Sequence, residues 1–215
     1  MTFNIKFGER LDEALDVIRA AQPDVACLQE IKPSQVSYIE DNLGVNGYWA
    51  PSSNLIGDAA WGNAVFARGR LDQVQSLRVP GGGAFGVWAT VEMDGGRFIV
   101  ASVHLMHAKR KYGGILERIR ETEAMLDAHR RLEAPAIIAG DFNEPAWGAV
   151  HRLLRGRFID AGQESGNTLP AGFPIARVDY VFCSDDWEPE SARTAATTIS
   201  DHRPVVVVLT PNLKN

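Results

Sequence analysis

Cysteine is scarce: Cys27 and Cys183 are the only two among 215 residues, far apart and each inside an apolar run. That distribution excludes a disulfide scaffold, a paired metal-ligand motif and a redox CxxC. It describes two buried thiols in a reducing compartment. Long apolar stretches are missing as well, since no segment approaches the ~18 uninterrupted apolar residues of a membrane span. The opening MTFNIKFGERLDEALD lacks the basic-then-apolar order of a secretory signal. The expectation is a cytoplasmic protein with no membrane partner. Positive charge is in deficit, with 22 Lys and Arg against 27 Asp and Glu for a formal charge of -5. That balance argues against a protein that holds nucleic acid chiefly through a broad basic face, and leaves local phosphate contacts open. Repeats, low-complexity tracts and linker-like stretches are absent too, so residues 1–215 read as one domain. A chain of this length buries about 70% of its unfolded surface and needs no metal to fold. A metal, if bound, serves function.

Helical and extended patterns alternate along the chain. Leu11, Ala14, Leu15 and Ile18 recur at helical spacing over residues 9–21, as do Val36, Ile39 and Leu43 over 33–43. Between them DVACLQE is a short apolar run suited to a buried strand. VWATVEMDGGRFIVASVH holds two strands around Asp94, Gly95 and Gly96, where glycines supply the positive φ of a tight hairpin. Residues 113–132 give the longest helix, with Ile115, Leu116, Ile119, Met125 and Leu126 as its apolar stripe. APAIIAG, a short helix near 145–154, RVDYVFCS and PVVVVL complete the pattern. Strands joined sometimes by helices and sometimes by hairpins predict mixed sheets with helices packed outside them.

Polar residues gather where the apolar runs end: Glu30 after DVACLQ, His104 after IVASV, and Asp141 with Asn143 after AIIAG. A carboxylate held at the end of a buried strand is partly desolvated and rigidly placed, the setting for a metal ligand or general base. Helix caps and turns use the same residue types, which is the plainer reading of each taken singly. In AGDFNEP, Gly140 allows a tight turn while Asp141 and Asn143 offer a proton acceptor and an amide two residues apart. Ser200, Asp201 and His202 form a second cluster before PVVVVL. An oriented His needs an acceptor on its other nitrogen, and Asp179, opening DYVF, is the candidate.

Taken in order, NIKFG, LQE, HL, GDFNE, RVDYVF and SDHRPV resemble the endonuclease/exonuclease/phosphatase superfamily from about Asn4 to Val208. WGNAVFARGRL resembles a GNA-like segment that precedes a strand in that family. The resemblance implies a four-layer α/β sandwich, two mixed β-sheets face to face with helices outside, of the DNase I-like kind. It implies a phosphoester hydrolase using Mg²⁺ or Mn²⁺, cations that prefer oxygen ligands. Glu30 matches the principal metal ligand, Asn4 the asparagine beside it, and Asp201 a residue assisting the metal or its water. Asp141 matches the residue that activates or positions the attacking water. Asn143 would hold water or phosphate, and His104 would face the phosphate. Asp179 and His202 resemble a dyad in which the acid orients the imidazole. Arg177 matches an arginine that touches phosphate or pairs with a neighbouring acid. These residues cover the needs of in-line hydrolysis: a placed water, an acceptor for its proton, and donors for the phosphoryl oxygens.

Lys6 departs from the pattern, standing where some nuclease members carry an Asp, and 215 residues leave little room for the large loops of DNA-binding or membrane-inserting members. Lys109, with Arg110 and Lys111, reads as a basic lip that meets a substrate phosphate or as a solvated loop. Trp61 and Trp147 read as packing residues, with stacking at the site mouth as the alternative. Gly81–Gly83 lacks the following Lys-Ser or Lys-Thr of a P-loop. Open alternatives are a nuclease acting on DNA or RNA, a catalytically silent phosphate-binding domain, and a metal-free esterase using Ser102 or Ser200. Neither serine sits in a Gly-x-Ser-x-Gly elbow.

Overall fold

Apolar runs with no polar face must be covered on both sides, and the chain meets that requirement by stacking two six-stranded sheets between two helical layers. The computed structural model describes residues 1–52, 60–93, 96–107, 114–132 and 134–212. In chain order the elements are β1 (Thr2–Asn4), α1 (Leu11–Ala21), β2 (Val25–Ile31), α2 (Val36–Leu43), β3 (Asn46–Pro51), β4 (Gly62–Ala67), β5 (Arg70–Arg78) and β6 (Ala84–Met93). There follow β7 (Gly96–His104), α3 (Gly114–Arg130), β8 (Ala136–Asp141), α4 (Ala149–Arg155), β9 (Ile159–Asp160), β10 (Asp179–Cys183), β11 (Trp187–Thr194) and β12 (Val205–Pro211).

The first sheet has the order β11-β12-β1-β2-β4-β3 and the second β5-β6-β7-β8-β10-β9. One layout is used twice. Each sheet has a central parallel pair, β1 with β2 and β7 with β8, joined by a crossover helix, and all its other pairings are antiparallel. Cys27 and Val65 from the first sheet meet Val87, Val100, Ala139 and Val181 from the second in the central layer. α1 and α2 cover the outer face of the first sheet through Leu15, Ile18 and Ile39. α3 and α4 cover the second through Met125, Leu126, Val150 and Leu154. The expected four-layer α/β sandwich of mixed sheets is the architecture observed.

The hairpin between β6 and β7 pairs Met93 with Gly96 in antiparallel register, while its turn residues Asp94 and Gly95 lie outside the described residues. α3 departs from its expected stripe. Met125 and Leu126 are buried, but Ile115 and Leu116 are exposed and Arg118, Glu121 and Thr122 face inward instead. The cause is local: Arg118 Nη1 donates to the Met106 carbonyl (3.0 Å), Glu121 Oε2 accepts from the Met106 amide (2.9 Å), and Arg118 pairs with Glu144 (3.2 Å). Paired in this way, the charges tolerate burial that unpaired ones would not. α3 thereby ties the loop after His104 to the loop after Asp141.

Candidate active site

Parallel strands bring their C-terminal ends to the same edge, and this geometry assembles the site. Asn4 ends β1 and faces Gln29 in register, His104 ends β7 opposite Asp141, and Asp141 ends β8 opposite Asp179. Glu30 reaches the same edge by a different device. The β2–β4 register slips between Gln29 and Ile31, so Glu30 is the extra residue of a bulge, with φ of 60°. A bulge re-aims one side chain without moving the strand. Asn143, with φ of 50°, likewise holds a left-handed conformation, and such outliers gather where surrounding contacts over-determine the backbone. Gly140 allows the close approach of β7 and β8, because a Cβ there would collide with the Val103 carbonyl.

Asp141 is the centre of the cluster. Its Oδ2 accepts from Asn4 Nδ2 at 3.2 Å and lies 3.5 Å from His104 Nε2 and 3.6 Å from His202 Nε2. Its Oδ1 accepts from the Asn143 amide at 2.8 Å. The other proton of Asn4 Nδ2 goes to Glu30 Oε1 at 3.1 Å, and Asn4 Oδ1 accepts from the Lys6 amide at 3.1 Å. Asn4 thus bridges two carboxylates from the two sheets and orients Glu30. His202 Nδ1 bonds Asp179 Oδ2 at 2.9 Å, the pairing expected from sequence. Thr168, which nothing in the sequence singled out, supports the dyad by accepting from the Val178 and Asp179 amides at 3.2 and 3.4 Å.

The electrostatics follow from burial and like charge. Desolvation raises the Glu30 pKa, and Asp141 and Asp201 push the same way, against the lowering by His104 and Asn4. Burial opposes charge on His202, yet the carboxylates of Asp179, Asp141 and Asp201 outweigh it and raise its pKa to about 10. Asp179 is itself raised by burial, against the lowering by His202. The other ring nitrogen, Nε2, lies 3.6 Å from Asp141 Oδ2.

Other sequence candidates take different places. Arg177 is committed to an acid, with Nη1 and Nη2 forming a fork on Asp160 at 3.0 and 2.5 Å and Nη1 also donating to the Gly162 carbonyl at 2.6 Å. Its guanidinium covers the Tyr180 ring at 4.5 Å, so of its two sequence readings the pairing with a neighbouring acid is the observed one. Asp201 is exposed, with Oδ1 3.2 Å from the Ser200 hydroxyl oxygen. Ser200 donates its proton to the Asn4 carbonyl at 2.7 Å, and Ser102 is buried beside Gln29 Nε2 and the Leu28 carbonyl, so both hydroxyls are engaged by neighbours. Asn143 Nδ2 donates one proton to the Leu105 carbonyl at 3.0 Å and keeps a second. Trp61 packs against His104 with ring centroids 5.5 Å apart, backed by Phe7 at 5.9 Å. Lys109, with Arg110 and Lys111, lies outside the described residues.

The donor set suits a hard divalent cation. Glu30 and Asp141 converge on one amide, and Asp141, Asp179 and His202 hold ligand atoms within 4.8 Å of one another. Within that second group Asp179 Oδ2 is already bonded to His202 Nδ1, and Asp141 accepts on both oxygens. Asp179 Oδ1 and His104 Nδ1 are buried with no hydrogen-bond partner among the described residues, polar atoms of the kind that face water or substrate.

Residues 1–202 match the profile of the Endonuclease/Exonuclease/phosphatase family. The uncharacterized protein YbhP of Escherichia coli K12 is 26% identical over 94% of this chain and 88% of its own length. Among solved structures, an endonuclease/exonuclease/phosphatase from Beutenbergia cavernae superposes with a TM-score of 0.85 at 20% identity, over 98% of this chain and 70% of that one. A mannosyl-6-phosphatase from Bacteroides thetaiotaomicron gives 0.84 at 17% identity, over 97% and 98% of the two chains. At these identities the structural likenesses establish the shared fold.

Proposed function

The chain belongs to the endonuclease/exonuclease/phosphatase family, and on that footing we propose that it is a divalent-metal-dependent hydrolase cleaving a phosphodiester or phosphomonoester by in-line attack of water. The observation that carries this reading is the convergence on Asp141 Oδ2 of an amide and two imidazole nitrogens within 3.2 to 3.6 Å, at an edge both sheets share. A buried carboxyl group so surrounded is fixed in one orientation at the centre of the site.

Glu30 would hold Mg²⁺ or Mn²⁺, with Asn4 fixing its carboxylate and Asp201 assisting from the exposed side. The cation, when bound, supplies positive charge for the phosphoryl and leaving oxygens. Asp141 orients the attacking water and takes its proton. The remaining Asn143 N–H and the Nε2–H of His202 donate to phosphoryl oxygens, the latter kept charged by Asp179. His104 closes the phosphate-facing side against Trp61.

The test is release of nitrophenol from bis(4-nitrophenyl) phosphate and from 4-nitrophenyl phosphate with Mg²⁺ or Mn²⁺, against Glu30→Ala and a chelator. Turnover lost in both controls supports the metallohydrolase, and the better ester fixes the class. Turnover that survives chelation and Glu30→Ala overturns it. Phosphate binding without turnover of any ester identifies a silent domain of the same fold.

A further inference from the structure

Among the described residues, the three most exposed large hydrophobic side chains are Phe173 (79%), Trp147 (77%) and Ile175 (69%). All three sit at one end of the second sheet. Trp147 lies on the loop that leaves β8 just after Asp141, and Phe173 and Ile175 lie on the loop that enters β10 at Asp179. These two strand ends are directly paired, Asp141 facing Asp179. Trp147, for which the sequence favours packing, stands in solvent.

The loop bearing Phe173 and Ile175 is held in place. Ala171 donates its amide to the Asp201 carbonyl (2.7 Å), Arg203 Nε donates to the Ala171 carbonyl (2.7 Å), and the Arg203 amide donates to the Thr168 carbonyl (2.8 Å). Leu169 and Ala176 pair across its neck, where the Ile175 and Ala176 amides donate to the Leu169 carbonyl at 2.9 and 3.0 Å. The loop is thus stitched to the segment carrying Asp201 and His202, and from Leu169 to Ala176 it has no charged residue. Exposed apolar side chains on a braced, uncharged surface beside a polar site are arranged to receive something apolar.

We propose that Trp147, Phe173 and Ile175 are specificity residues forming an apolar platform for the group esterified to the phosphate, so that the substrate carries a flat, apolar-faced substituent and not a bare sugar. This rests on the hydrolase reading above, since it assigns the phosphate to the Asp141–His202 cluster. Aromatic rings accept a planar group by stacking, and an adjacent aliphatic chain fills the edge.

Adenosine 5′-monophosphate and ribose 5-phosphate share the phosphate and sugar and differ by one planar base, so their ratio isolates the platform. Both are measured as competitive inhibitors of whichever nitrophenyl ester the full chain hydrolyses, and by calorimetry on the Mg²⁺-loaded protein. The expected result is inhibition by the nucleotide at roughly tenfold lower concentration than by the sugar phosphate. That ratio should fall to within about twofold in Trp147→Ser/Phe173→Ser and survive in Val208→Ser, which removes an exposed apolar residue from β12. Equal inhibition in the wild type, or a ratio untouched by the double variant, overturns the platform. If no ester is hydrolysed the catalytic reading fails, and the same two titrations by calorimetry still decide whether the base is recognised.

Discussion

At the residue scale the site is a set of shared partners. Asn4 divides its amide between Glu30 and Asp141, and His202 pairs through Nδ1 with Asp179 while its Nε2 lies 3.6 Å from Asp141. Groups that act through one oxygen lose function together, so Asp141→Asn and His202→Ala should each lower kcat by about 10²-fold or more. The double variant should fall little further than the worse single one. Steady-state kinetics with circular dichroism as a fold control checks this, and wild-type rates in a folded, metal-loaded double variant would remove both residues from the chemistry. Glu121 makes a separate prediction. Burial raises its pKa from 4.5 to about 7, against the lowering by the Met106 amide. An acid whose folded pKa lies above its unfolded one contributes stability that is full below pH 4.5 and is lost as pH rises through 7. Urea unfolding from pH 4 to pH 8 should therefore show a downward trend, about 1.4 kcal/mol per pH unit at its steepest. Glu121→Gln keeps an acceptor for the amide and should flatten that trend.

At the element scale, β7 and β8 set the spacing of His104 and Asp141, and their contact depends on a missing side chain. Gly140→Ala should push the Val103 carbonyl away, cost at least about 2 kcal/mol in chemical denaturation, and reduce turnover through the displaced Asp141. An unchanged midpoint would show that the strands can absorb the methyl. The strand ends carrying Glu30, His104 and Asp141 were legible in the sequence because buried central strands read as unbroken apolar runs closed by a polar residue. β3, β5, β9 and β11 were not, and these four are the outer strands of the two sheets. An edge strand has one solvated side, and RLDQVQSLR and WEPESART are accordingly rich in charge, the latter with Pro189 at a register slip. The bulge that turns Glu30, the Thr168 support of Asp179 and the identity of Asp160 as the acid that Arg177 pairs with were hidden for another reason. Each depends on a partner distant in sequence, and local pattern carries no record of it.

At the scale of the whole molecule, the site lies on the seam between two sheets of matching layout, each giving an acid from the second strand of its parallel pair. Cation binding at Glu30, which Asn4 bridges to Asp141 of the other sheet, should therefore clamp the two halves. Mg²⁺ at a hundredfold excess over Kd should add about 2.7 kcal/mol. For a chain of this size that corresponds to a rise in Tm of roughly 5–10 °C. Glu30→Gln should abolish the rise, and an equal rise in that variant would place the cation elsewhere. The two sheets also differ in how the chain supplies them. The second is drawn from one continuous stretch, β5 to β10, whereas the first joins β1 to β4 with β11 and β12 from the far end. On the ribosome, the second sheet is complete in sequence while β1 still waits for β12 along its open side. His202 emerges just ahead of that closing strand. A nascent chain can thus pair most of its strands before the Asp141–His202 cluster exists, and that cluster is completed in the same step that seals the first sheet.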